Sequence, residues 1–138
     1  MLGVNVAEYS IIPHRGGWKR AYEQAHRFAA PMRARWNRQG TGVVPGAASL
    51  LELEGEGLVV TALKRPEGVQ QDGETILRLF NILDEPTAGR VRLAEPSGRV
   101  DVVDMKEELL GPAKVEDGWV QLALRPNEIV TLKFVASS

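Results

Sequence analysis

From Ser49 to the end of the chain, short runs of alternating apolar and polar residues are interrupted about every ten residues by glycine or proline. Alternation with a period of two puts the apolar side chains on one face of an extended strand. Several such strands, separated by regular turn signals, imply a mostly β chain folded as an antiparallel β-sandwich. Ser49–Leu53 and Leu58–Leu63 flank Gly55 and Gly57, as the arms of a hairpin would. Glu74–Leu83 carries Ile76, Leu77, Leu79, Phe80 and Ile82, more apolar residues than one buried face needs. It is expected to be a central strand covered on both sides. Val91 and Leu93, then Val100, Val102 and Val103, form two short strands around Pro96-Ser-Gly98. A charged stretch, Asp104–Leu110, ends at Gly111-Pro112, and Trp119–Leu124 and Ile129–Val135 supply the last strands.

The first third of the chain has a different period. Residues 4–14 read as an extended apolar strand ending at Pro13. Trp18, Tyr22, Ala25, Ala29, Met32 and Trp36 then recur at spacings of four and three, the stripe of one short amphipathic helix. The helix is expected over about residues 17–30, because Pro31 cannot donate its N–H and disfavours helix at Ala30. Gly40, Gly42, Pro45 and Gly46 mark a linker over about 37–48. With 138 residues, the whole of 1–138 is expected to be a single β-sandwich domain.

Composition narrows the function. No cysteine is present, so thiolate chemistry and disulfides are excluded, and a reducing cytoplasm suits the chain. Met1–Glu8 has no basic leader and is not read as a signal peptide, and no apolar run approaches membrane-spanning length. Between His14 and Gly40, seven cations face one acid, while the rest of the chain carries a net −7. Such a basic segment fits an acidic protein surface. Nucleic acid is not expected as a partner, since the chain as a whole has a net charge of only −1.

Few residues look chemical. His14, held beside Pro13, could bind a sugar hydroxyl, or it could bridge a strand end to the helix through a backbone carbonyl. Arg78 lies in the most apolar strand, where a charge needs a partner. It would either pair with an acid such as Glu74 or project from the sheet toward a partner domain. Asn81, at the end of that strand, would cap a turn or touch ligand, with the turn favoured. Trp18, Trp36 and Trp119 could stack on sugar rings, but Trp18, Tyr22 and Trp36 lie on the helix stripe and are read as an interface. Asp84-Glu85 and Glu107-Glu108 are adjacent acids on loops, which does not ensure the carboxylate separation of about 5–9.5 Å that glycosidases use. The two histidines lack metal-ligand spacing.

The order of the segments carries a resemblance. Tyr9…Pro13-His14…Trp18, the helix with Ala25 and Phe28, the Leu51–Lys64 pair of strands, Leu77-Arg-Leu-Phe-Asn81, Asp104–Glu108 and Arg125-Pro-Asn-Glu-Ile-Val-Thr-Leu132 are collinear with one family's pattern. From about residue 5 to 136 the chain resembles the C-terminal β-domain of α-mannosidases of glycoside hydrolase family 38. The resemblance implies that the catalytic carboxylates and a divalent metal, zinc among the candidates, belong to a separate catalytic domain. No cofactor and no catalytic residue are expected in this chain. The expected partners are that catalytic domain, a mannoside ligand and a second copy in a homo-oligomer, with no membrane partner. The alternative is a stand-alone carbohydrate-binding or subunit-interaction module.

Overall fold

The computed structural model describes residues 3–34, 48–67, 73–95 and 97–136. Trp36 and nearly all of the expected 37–48 linker lie outside the described residues. The chain divides into two compact units, residues 1–43 and 44–138.

In the first unit, Trp18–Ala21 forms a single 3-10 turn that continues into α1, Tyr22–Ala29. The helix closes where Ala30 N–H donates to His26 O at 2.8 Å, one residue before Pro31, as the proline requires. The α1 helix buries none of its residues. Residues 4–14 form no strand, contrary to the sequence pattern. A strand exists only where a neighbour satisfies its backbone groups, and among the described residues none pairs with this segment.

The second unit is an antiparallel β-sandwich. Its strands are β1 Leu51–Glu54, β2 Leu58–Lys64, β3 Glu74–Asn81, β4 Thr87–Leu93, β5 Ser97–Val103, β6 Leu109–Pro112, β7 Val115–Glu116, β8 Trp119–Leu124 and β9 Ile129–Ala136. One sheet has the order β1-β4-β8-β7 and the other β2-β3-β9-β5-β6. Val91, Val120, Leu122 and Leu124 from the first sheet pack on Leu77, Leu79, Val100, Leu132 and Phe134 from the second. β3 lies inside its sheet, hydrogen-bonded along its two edges to β2 and β9.

The hairpin read between β1 and β2 is not formed. β1 pairs with β4 in the four-stranded sheet, and β2 pairs with β3 in the five-stranded sheet. Gly55 at φ +133° and Gly57 at φ +70° carry the chain from one sheet to the other. A Cβ on Gly55 would lie 2.8 Å from Ala88 O, and one on Gly89 would collide with Glu54 O. Gly55 and Gly89 therefore permit a close backbone approach where the chain leaves β1 beside β4 for the other sheet, not a turn between partners. The true hairpin signal is Asp117-Gly118, both with positive φ, which joins β7 to β8.

Candidate functional site

Strand alternation sends Leu77, Leu79 and Asn81 toward the sandwich core side of β3, and Ile76, Arg78 and Phe80 toward the outer face of its sheet. Arg78 and Asn81, close in sequence, thus face opposite ways.

Asn81 is fully buried and its amide is engaged on every side. Its Nδ2 donates to Glu85 O and to Arg125 O, both at 2.9 Å, and its Oδ1 accepts from Leu83 N–H at 2.9 Å. One side chain thereby ties the turn after β3 to the turn before β9. The latter turn is built by the Arg125-Pro-Asn-Glu128 segment. Glu128 accepts from Arg125 N–H at 2.6 Å and from the Arg125 guanidinium at 3.0 Å, while Asn127 takes a left-handed φ of +56°. These bonds, led by the Arg125 guanidinium, hold the Glu128 carboxyl below the usual range.

Arg78 is half-buried and sits directly across from Ala62 on β2 and Thr131 on β9. Its Nε donates to Thr131 Oγ1 at 3.1 Å, and Thr131 is buried. The acid that the sequence offered it, Glu74, pairs with Lys133 at 2.7 Å instead. Around Arg78 the outer face is heavily charged. Lys64 contacts Glu107 at 2.7 Å and Glu67 at 2.6 Å, and Arg99 contacts Asp101 at 2.9 Å. Glu107 also accepts from Glu67 N–H at 2.7 Å, which pins the β5–β6 loop to the segment after β2. The Lys64 ammonium, then the Glu67 N–H, keep the Glu107 carboxyl below its ordinary value. The same contact raises the Lys64 ammonium.

The outer face of the other sheet carries a second cluster that the sequence reading did not assemble. Glu52 lies across from Arg92, and Glu54 across from Arg90. Arg90 forms a two-pronged contact with Glu54 at 2.8 and 3.1 Å, and Arg92 reaches Glu52 at 2.7 Å. Both guanidiniums lie over Trp119, 4.3 and 4.4 Å from its ring centroid, and leave Trp119 only 8% exposed. The ring is held by cations and is not an open shelf for a sugar. Glu52-Leu-Glu54 and Arg90-Val-Arg92 share the period of two, a signal visible in the sequence once their strands are paired.

In the first unit, His14 is exposed in the irregular segment before the 3-10 turn. Trp18, 60% exposed, lies 6.4 Å centroid to centroid from Tyr22, and Tyr22 lies 6.2 Å from His26. Spacing by four residues makes these three rings one ladder, with Trp18 and His26 exposed and Tyr22 half-buried between them, to which the sequence reading had not assigned His26. A separate groove of about 340 Å³ in the sandwich is lined by Leu50, Leu63, Leu93 and Thr75, with Arg65 and Glu95 at its rim.

The metal that the resemblance implies finds no set of three or more His, Asp or Glu side chains to hold it among the described residues. No helix among them is long and apolar enough to cross a membrane.

Residues 57–132, more than half of the chain, match the model of the glycosyl hydrolases family 38 C-terminal beta sandwich domain. The chain belongs to that family. The match begins at Gly57, where the chain crosses between the sheets, and runs to Leu132 in β9. The family domain therefore includes Arg78, Asn81 and the Arg125–Glu128 turn. The chain is also similar to a protein of Halalkalibacterium halodurans named "Putative mannosylglycerate hydrolase", at 33% identity over 137 residues. That similarity covers 96% of this chain and 14% of the relative, so the chain spans about a seventh of the relative's length.

Proposed function

We propose that this chain acts as the non-catalytic C-terminal domain of an α-mannosidase-like glycoside hydrolase, packing on the catalytic domain and supporting hydrolysis of α-mannosides. The observation that carries this reading is the match to a C-terminal sandwich domain in a chain that spans 14% of its relative. The geometry supports it. The prominent acids of the two outer faces, Glu52, Glu54, Glu74 and Glu107, are bound to cations of the same face rather than poised in a cleft. The substrate class comes from the resemblance and from the relative's name, which extends it to mannosides of hydroxy acids. On this reading the divalent metal belongs to the catalytic domain, and the assembly works in the cytoplasm.

The test is the reading frame upstream of Met1 in the source genome. An in-frame α/β-barrel segment carrying paired Asp and His residues supports the reading. A genuine stop before Met1, with no separately encoded catalytic subunit, removes it.

One observation favours the alternative of a sugar-binding module: the Trp18–Tyr22–His26 ladder, with its Trp18 ring 60% exposed. That alternative requires mannoside binding by this chain alone, lost in Trp18→Ala.

A further inference from the structure

Residues 4–12 carry Val4, Val6, Tyr9, Ile11 and Ile12, β-branched or aromatic side chains that favour a strand, and no proline precedes Pro13. Every backbone N–H in the segment can therefore donate to a ladder. Val4, Val6, Tyr9 and Ile11 are 83–94% exposed, so this chain leaves them uncovered. Alternation puts Val4 and Val6 on one face of the extended segment, and Tyr9 and Ile11 on the other. Lying flat on a surface would cover only one of these pairs. A strand that enters a layered sheet has both covered. None of the described residues of the first unit is buried, and a piece this short does not build a core of its own.

Two observations say what covers it. The similarity to the Halalkalibacterium halodurans relative takes in 96% of this chain, hence nearly all of residues 1–43, although the sandwich match begins only at residue 57. The first unit is thus shared with a protein most of whose length lies outside the match. The other observation is charge. Residues 14–34 carry five lysines and arginines against one acid, Glu23, which suits an acidic surface beside the end of the strand.

We propose that residues 4–12 are an interaction strand that adds to a β-sheet edge, with an acidic flank, in the part of the hydrolase outside this chain. Resting on the reading above, this names the contact that would hold the C-terminal domain in place. Main-chain hydrogen bonds run along the segment, and its two apolar pairs are buried in the layers on either side. The exposed Arg15, Arg27 and Arg33 supply the charge that meets the flank.

The experiment follows amide hydrogen exchange of residues 4–12 in this chain alone and in its assembly with the catalytic part, the two produced together. Exchange is expected to be fast in the chain alone and at least about a hundredfold slower in the assembly. Val6→Pro removes one donor and should weaken association about tenfold or more. Val6→Ile keeps the donor and the apolar side chain and should associate as the wild type does. Added salt should weaken the association, and indifference to salt would overturn the acidic flank. The unfolding midpoint of the isolated chain should be the same with Val6→Pro, because residues 4–12 lie outside the sandwich. A lowered midpoint, or slow exchange in the chain alone, would show that the segment is already held within the chain and would overturn the proposal. Slow exchange that appears only as this chain is concentrated would give the strand to a second copy, and would overturn the proposed occupant. If the assembly forms while residues 4–12 still exchange fast, the proposal falls and the domain reading stands. If the wild-type parts do not associate at all, both fall.

Discussion

The guanidinium of Arg90 lies 4.3 Å from the centre of the Trp119 ring while its two donor prongs hold Glu54. Residues from three adjacent strands, β1, β4 and β8, are thereby locked across the outer face of one sheet. Arg92 repeats the arrangement one pleat away, with Glu52 and the same ring.

Trp119 is therefore expected to be a structural centre of the four-stranded sheet. Trp119→Ala should cost ~3–5 kcal/mol, the usual range for truncating a large buried aromatic, whereas Trp119→Phe should cost less. Urea unfolding of the two variants checks this. A loss below ~1 kcal/mol for the alanine variant would mean that the ring is not packed as described.

Asn81 should be nearly as sensitive despite its small size. Asn81→Ala removes an acceptor for Leu83 N–H and a donor to Glu85 O and Arg125 O, all at a fully buried position. The expected loss is ~2–4 kcal/mol, since buried groups left without partners carry the desolvation cost. Asn81→Asp should be worse, because it replaces a double donor with a buried charge. Thermal unfolding measures both.

Acid should loosen the sandwich in a defined window. The carboxyls of Glu54, Glu107 and Glu128 are held below their ordinary value of 4.5 by Arg90, Lys64 and Arg125 respectively. A depressed folded-state value means stability that is fully present above the unfolded value and lost as pH falls through the folded one. Stability should thus be flat near neutrality and decline as pH drops below about 4.5. Glu107→Gln should be less stable at pH 7 and should show a shallower decline in acid. Unfolding midpoints between pH 7 and pH 3 test this, and an unchanged slope would contradict the role given to Glu107.

The β-sandwich was legible because burial on one face imposes a period of two, which β3, β8 and β9 all display. Residues 4–14 show a similar apolar character yet form no strand, since composition does not provide a pairing partner. The β1–β2 hairpin was misread for a related reason. Gly55 and Gly57 look like a turn, but only the sheet order shows that they serve a crossing between sheets. Asp117-Gly118 carried the stronger signal, since both residues accept the left-handed backbone of a two-residue turn. At the candidate site, sequence alone singled out Arg78 as a charge in an apolar strand. It could not choose the partner, because Glu74 is committed to Lys133 only by the register between β3 and β9. The Glu52, Glu54, Arg90, Arg92 and Trp119 cluster was equally hidden until β1, β4 and β8 were placed side by side.

The central claim is that this sandwich supports a catalytic domain and performs no hydrolysis itself. The most direct measurement is α-mannosidase activity of three samples: this chain alone, the catalytic part alone and the two together, each with the divalent metal supplied. The account predicts no turnover by the chain alone and a clear gain in activity or thermal stability of the catalytic part when the chain is added. Metal-dependent turnover by this chain alone, or a catalytic part indifferent to its presence, would contradict it.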